Sequence, residues 1–271
     1  MDRDGRRAGL GHPLRPEESL TSKGGPSRAE LAYGALVVAA FAAVALWRFD
    51  LVLQAGRVSL LVLQRGGPGR WKLLGEIVLF SLILLATWKT VPAAPRPRRD
   101  ALILLLAGAA GYAAEAWGTR LGLWTYYTRE LPPLWIVPAW PLGAAFVARV
   151  GERLRESRGP APAAAYWALA SASVAVVAAF CAPRGAWAGV AVTAAALGLF
   201  AEPGKDFWTL AAGLGCVLFA DFWGTTNGCW RYWLRDQPFG LWRGIAFGMT
   251  FDAAVVMLAL KAAIRLERLS D

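Results

Sequence analysis

The chain has 271 residues, 56% of them hydrophobic and only 18% charged, with a net charge of +10. The apolar residues fall in long blocks that are apolar all round, which excludes an ordinary soluble domain with amphipathic helices. The positive charge is confined to short clusters between those blocks, which argues against nucleic acid as a partner.

In chain order, residues 1–28 are rich in Gly, Pro, Ser and Arg and lack the apolar core of a signal peptide, so they read as a disordered basic cytoplasmic tail. A membrane span needs about 20 largely apolar residues. Eight segments qualify: 29–48, 71–91, 101–119, 134–150, 163–181, 186–200, 207–225 and 241–261. The sixth is short and Ala-rich, which leaves seven spans as the alternative. Residues 48–70 read as an extra interfacial segment. With eight spans, the clusters Arg96, Arg98 and Arg99, then Arg149, Arg153, Arg155 and Arg158, then Lys261, Arg265 and Arg268 all fall on the side of the basic tail. The positive-inside rule then places both termini in the cytoplasm. The expected fold is all-α: a polytopic transmembrane helix bundle with two tandem parallel four-helix repeats, residues 29–150 and 151–271, in a bacterial inner membrane.

His12 is the single histidine, and it lies in the tail. That excludes His-ligated metal sites and Ser–His hydrolases from the apolar core. The three cysteines have no metal-ligand spacing. No metal or other cofactor is expected, and any catalysis falls to carboxylates, Tyr, Lys/Arg or backbone groups.

The most informative feature is an internal repeat at an offset of 106 residues. Glu115, Trp117-Gly118-Thr119, Gly122, Trp124, Tyr126, Arg129, Glu130 and Pro132 lie over Asp221, Trp223-Gly224-Thr225, Gly228, Trp230, Tyr232, Arg235, Asp236 and Pro238. Over these 18 positions there are 8 identities and two Glu/Asp pairs, where ordinary residue usage gives about one identity. In each copy an apolar helix carries an acid about one turn before Trp-Gly. Gly118 and Gly224 read as helix-ending residues, followed by an aromatic loop and a Pro-marked entry into the next helix.

Aromatic residues at helix ends also occur simply as an interfacial belt. The acids are harder to explain that way, because an ionisable group inside an apolar span is expensive to bury. Glu115 and Asp221 are therefore the candidate catalytic pair. Asp252, in mid-span, and Glu76, near the outer end of the second span, are accessory candidates. Trp117, Trp124, Tyr126, Trp223, Trp230 and Tyr232 are candidate substrate-binding residues. Arg129 and Arg235 are candidates for holding a lipid head group or diphosphate, and either would keep a neighbouring acid ionised.

The stretch Glu115, Gly118-Thr119-Arg120, Gly122, Tyr126, Val137-Pro138 and Trp140-Pro141, with Asp221, Gly228, Trp230 and Tyr232 in the second copy, resembles membrane proteins of carotenoid biosynthesis. These are the carotenoid hydratase-like family and the small heterodimeric lycopene cyclases, and, more loosely, the intramembrane meroterpenoid cyclases. The second copy departs from the cyclase pattern, with Phe247-Gly248 where the first has Pro141-Leu142. The resemblance implies an acid–base cyclase or hydratase acting on an isoprenoid or carotenoid-like lipid.

Chemistry agrees with that expectation. A carboxylic acid in a poorly hydrated site can stay protonated and protonate a C=C bond. Aromatic faces then stabilise the carbocation, while a second carboxylate orients water or removes a proton. Two alternatives stand beside it: a transporter whose acids couple proton or cation movement, and a non-catalytic membrane partner protein. The expected partner is a membrane lipid or isoprenoid substrate, and the sequence leaves the oligomeric state open.

Overall fold

The computed structural model describes residues 27–93 and 95–269. Residues 1–26 of the expected tail lie outside them.

The elements in order are α1 (Arg28–Trp47), α2 (Phe49–Arg65), α3 (Pro68–Thr90), α4 (Pro97–Arg120), β1 (Trp124–Tyr126), α5 (Ala139–Arg158), α6 (Ala163–Cys181), α7 (Trp187–Gly198), α8 (Pro203–Thr226), β2 (Trp230–Tyr232) and α9 (Gly240–Leu269), with one 3-10 turn after α6. Among the described residues six helices are long and apolar enough to cross a membrane: α1, α3, α4, α6, α8 and α9. They make the chain an all-α integral membrane protein. The other two expected spans fall short for different reasons. The second half of α5 carries Arg149, Glu152, Arg153, Arg155, Glu156 and Arg158. Helix α7 has 12 residues, about 18 Å of rise against about 30 Å of hydrocarbon. Residues 48–70, expected as an interfacial segment, form helix α2 and the turn into α3.

Local chemistry sets the helix starts. Pro97 and Pro203 open α4 and α8, where a missing N–H costs nothing. One turn in, Asp100 accepts the Arg96 N–H at 2.9 Å and Asp206 accepts the Glu202 N–H at 3.0 Å. Ser27 and Glu30 form a capping box on α1.

Helix α9 is the central element, with 67% of its apolar stretch buried, against 11% for α1 and 6% for α3. It packs on α4, α6, α7 and α8, while α5 closes the gap between α4 and α8. The outward apolar faces of α1 and α3 suit contact with lipid tails.

The bundle has two unlike ends. At one, Arg96 and Arg99 meet Glu152, Lys261 meets Asp206, and Arg149 is buried against Asp100 at 2.8 Å. At the other, the strands that follow α4 and α8 pair with each other. Helices α4 and α8 thus run the same way, from the charged end to the aromatic end. Between the ends, Ile103, Ala107, Ala144, Val147, Val255, Val256, Ala259 and Leu260 belong to one buried apolar cluster.

Candidate active site

Each acid is positioned by the turn that follows its helix. Gly122 and Gly228, with φ of 63° and 71°, adopt the left-handed conformation. The Leu123 N–H bonds the Gly118 carbonyl at 2.9 Å, and the Cys229 N–H bonds the Gly224 carbonyl at 2.8 Å. This is a Schellman cap. Gly118 and Gly224 therefore do not end the helices, as their sequence position suggests; both lie within them. Their missing Cβ serves another purpose. The chain doubles back so that the Trp124 and Trp230 indoles lie over Gly118 and Gly224, where any side chain would overlap the rings.

The doubled-back indoles reach the acids. Trp124 Nε1 donates to Glu115 Oε2 at 3.0 Å, and the Tyr126 hydroxyl donates to Oε1 at 3.0 Å. Trp140 Nε1, from α5, adds a third donor to Oε1 at 3.4 Å. In the second copy, Trp230 Nε1 and the Tyr232 hydroxyl both donate to Asp221 Oδ1, at 3.1 and 2.7 Å. Asp221 Oδ2 is buried without a partner. The two carboxyls are thus held alike but not equally: three donors cover both oxygens of Glu115, and two donors cover one oxygen of Asp221.

Strands β1 and β2 form an antiparallel ladder pairing Trp124 with Tyr232, Thr125 with Arg231 and Tyr126 with Trp230. The ladder brings the two acids together. Glu115, Asp221 and Asp252 line one cavity of about 160 Å³, walled by Trp124, Tyr126, Trp140, Trp230, Tyr232 and Phe247. The Asp252 carboxyl, on α9, makes no hydrogen bond to any described residue. Helix α9 approaches closely because Gly248 leaves room; a side chain there would overlap the Tyr232 hydroxyl and the Asp221 carboxylate. Burial, with nearby carboxylate charge, pushes the Tyr126 and Tyr232 phenols well above their ordinary value. They are hydrogen-bond donors and not bases.

The other expected site residues lie elsewhere. Trp117 packs on Phe251 at 5.2 Å between ring centroids, behind the cavity wall. Trp223 packs on Phe80 at 4.8 Å. Glu76 does not join the acids: it accepts a hydrogen bond from Asn227 at 3.0 Å and pairs with Lys72 at 3.7 Å. Arg129 and Arg235 stand in the turns after the strands, where their N–H groups bond the Tyr126 and Tyr232 carbonyls at 3.0 Å. Among the described residues neither arginine pairs with Glu115 or Asp221, and neither lines the cavity.

Sequence reasoning missed Trp140 as a partner of Glu115, and Gly248 and Phe247 as parts of the site. Trp140 carried a signal as a tryptophan at a Pro-marked helix entry. Gly248 had none, since its role depends on how closely α9 approaches α8. Among the described residues, no group of three or more His, Cys, Asp or Glu converges to hold a metal ion.

No protein-family model, curated protein or solved structure matches the chain.

Proposed function

We propose that the chain is an intramembrane acid–base enzyme, a cyclase or hydratase, acting on an isoprenoid or carotenoid-like lipid by protonating a C=C bond. The observation that carries the reading is the pair of buried acids, Glu115 and Asp221, on one aromatic-walled cavity with unequal hydrogen-bond partners. An ionised carboxylate only accepts hydrogen bonds, whereas a protonated one needs an oxygen free to present its O–H. Glu115, with donors on both oxygens, is the carboxylate. Asp221, with Oδ2 bare, is the acid.

Asp221 Oδ2–H gives its proton to one alkene carbon. The π pair forms the new C–H bond, and the other carbon becomes a cation beside the indole and phenol rings. In a cyclisation, a second C=C attacks the cation and forms a C–C bond. An adjacent C–H then loses its proton to Glu115, and the C–H electrons restore a double bond. In a hydration, water adds to the cation and passes its surplus proton to Glu115. Asp252, on the same cavity, carries the proton back to Asp221. The apolar packing between the cavity and the charged end favours this reading over a transporter, which needs a polar path. The reading extends to the finer architecture: two parallel repeats meeting at the β1–β2 ladder, α5 and the short α7 as the two passes within the bundle that complete an eight-helix alternation with the six long spans, and the charged end in the cytoplasm.

The test is to incubate the purified chain, in lipid nanodiscs, with acyclic isoprenoids in deuterated buffer. Carbon-bound deuterium should appear in the product, and Asp221→Asn should abolish it. Oxygen-18 from labelled water marks hydration, and its absence marks cyclisation. Undiminished deuterium incorporation by Asp221→Asn and by Glu115→Gln would defeat the reading.

A further inference from the structure

A second cavity, of about 430 Å³, lies between α1, α3, α5 and α8. Its lining is almost wholly apolar, with Phe41, Ile83, Leu142, Phe146 and Phe219 among its walls. Ala139, Gly143 and Cys216 line this cavity and the acid-lined one alike. The two therefore adjoin across one short boundary made by α5 and α8.

Size requires them to work together. Drug-sized ligands occupy about 300–1,000 Å³, and a cavity near 150 Å³ holds only a molecule like benzene. The acid-lined cavity, at about 160 Å³, accommodates the reacting end of a lipid and no more. The apolar one accommodates a chain but holds no acid. Charge restricts the ligand further. Among the described residues no Lys or Arg lines either cavity, and burying an anion beside carboxylates without a cation is strongly unfavourable.

We infer that the two cavities are one binding site for a neutral, linear polyprenyl chain: the reacting end lies among Glu115, Asp221 and Asp252, and the tail passes Gly143 into the apolar arm. The inference rests on the proposed acid–base reading and adds the substrate class, which excludes a prenyl diphosphate. The arm borders α1 and α3, the least buried of the six long apolar helices, so a lipid has a lateral route into it. Gly143 is the point of passage. A Cβ added there meets no atom within 4 Å, so a side chain projects into open space.

The test uses photoaffinity capture, which needs no turnover. Geranylgeraniol carrying a tail diazirine should label Phe41, Ile83, Leu142 or Phe146 in the wild-type chain, as located by mass spectrometry. The matching diphosphate should not. Gly143→Phe should reduce that labelling by about tenfold or more, the loss expected if only two buried methylenes are displaced. Gly143→Ala should leave it near wild type, and Cys216→Phe, which narrows the passage from α8, should repeat the block if Gly143→Phe unfolds. Arm labelling that survives both Phe variants, or equal capture of the diphosphate, overturns the inference. Blocked labelling without any deuterium incorporation by the wild-type enzyme sinks the acid–base reading alone. Deuterium incorporation without arm labelling sinks the inference alone.

Discussion

Thr125 stands directly opposite Arg231 in the β1–β2 ladder, and these two residues are counterparts, 106 positions apart. The flanking pairs obey the same rule, because Trp124 faces Tyr232 and Tyr126 faces Trp230. The two copies of the motif therefore meet face to face about a local two-fold centre. Each strand delivers one indole and one phenol to the acid of its own copy.

That arrangement depends on two glycines that have no conformational role. Gly118→Ala and Gly224→Ala should each push an indole off its helix and off its acid. The overlap costs about 1–3 kcal/mol. Thermal unfolding in detergent should fall in both variants, with turnover reduced more than stability alone explains. A wild-type melting temperature in either would show that the indole has room to move.

The unequal partners of the two acids predict unequal mutants. Asp221→Asn keeps Oδ1 for Trp230 and Tyr232 and sets an NH₂ where the proposed acid already holds an O–H without a protein acceptor, so stability should change little while turnover disappears. Glu115→Gln sets an NH₂ against at least one N–H or O–H donor. An unsatisfied buried donor costs about 1–3 kcal/mol, so this variant should lose stability as well as activity. Equal melting temperatures for the two variants would contradict the assignment of Asp221 as the acid.

The buried phenols make a prediction about pH. Tyr126 and Tyr232 have raised values in the folded state, so folding favours their protonated form. Their contribution to stability is fully present below the unfolded value of about 10 and is lost as pH rises above it. Ultraviolet tyrosinate titration of the folded chain should leave these two silent where exposed tyrosines ionise. Tyr126→Phe with Tyr232→Phe should flatten the alkaline loss of stability.

At the charged end, Arg149 Nη2 donates to both oxygens of Asp100 at 2.8 Å, and both side chains are buried. Arg149→Ala should cost about 3–5 kcal/mol by leaving Asp100 uncompensated. Adding Asp100→Leu to Arg149→Met should recover most of that loss in the same melting assay. A single mutant as stable as the double would mean that water already compensates the pair.

Topology gives the last expectation. A reporter fused after Ser270 should read cytoplasmic, and one inserted near Arg129 should read non-cytoplasmic. Both on one side would contradict the alternation of helices that places Arg129 and the charged end apart.

The sequence by itself determined the class of the protein and the identity of its paired acids. Membrane helices follow from local composition, and a repeated Glu/Asp–Trp-Gly–Trp-x-Tyr pattern is visible at a fixed offset without any fold. Even the helix ends were half legible: glycines marked the turns, but Gly122 and Gly228 do the capping and Gly118 and Gly224 make room for indoles. Only the tertiary structure decided what the acids face. The strand pairing of Trp124 with Tyr232 joins segments over a hundred residues apart, and no local signal encodes it. Asp252 reaches the cavity and Glu76 does not, although both are lone acids in apolar helices. What separates them is which helix packs centrally. Helix α9 is buried among its neighbours and turns Asp252 inward, whereas α3 lies at the edge and leaves Glu76 to Lys72 and Asn227. Helix packing is a sum over many weak contacts between distant segments, and it is there that this site was made.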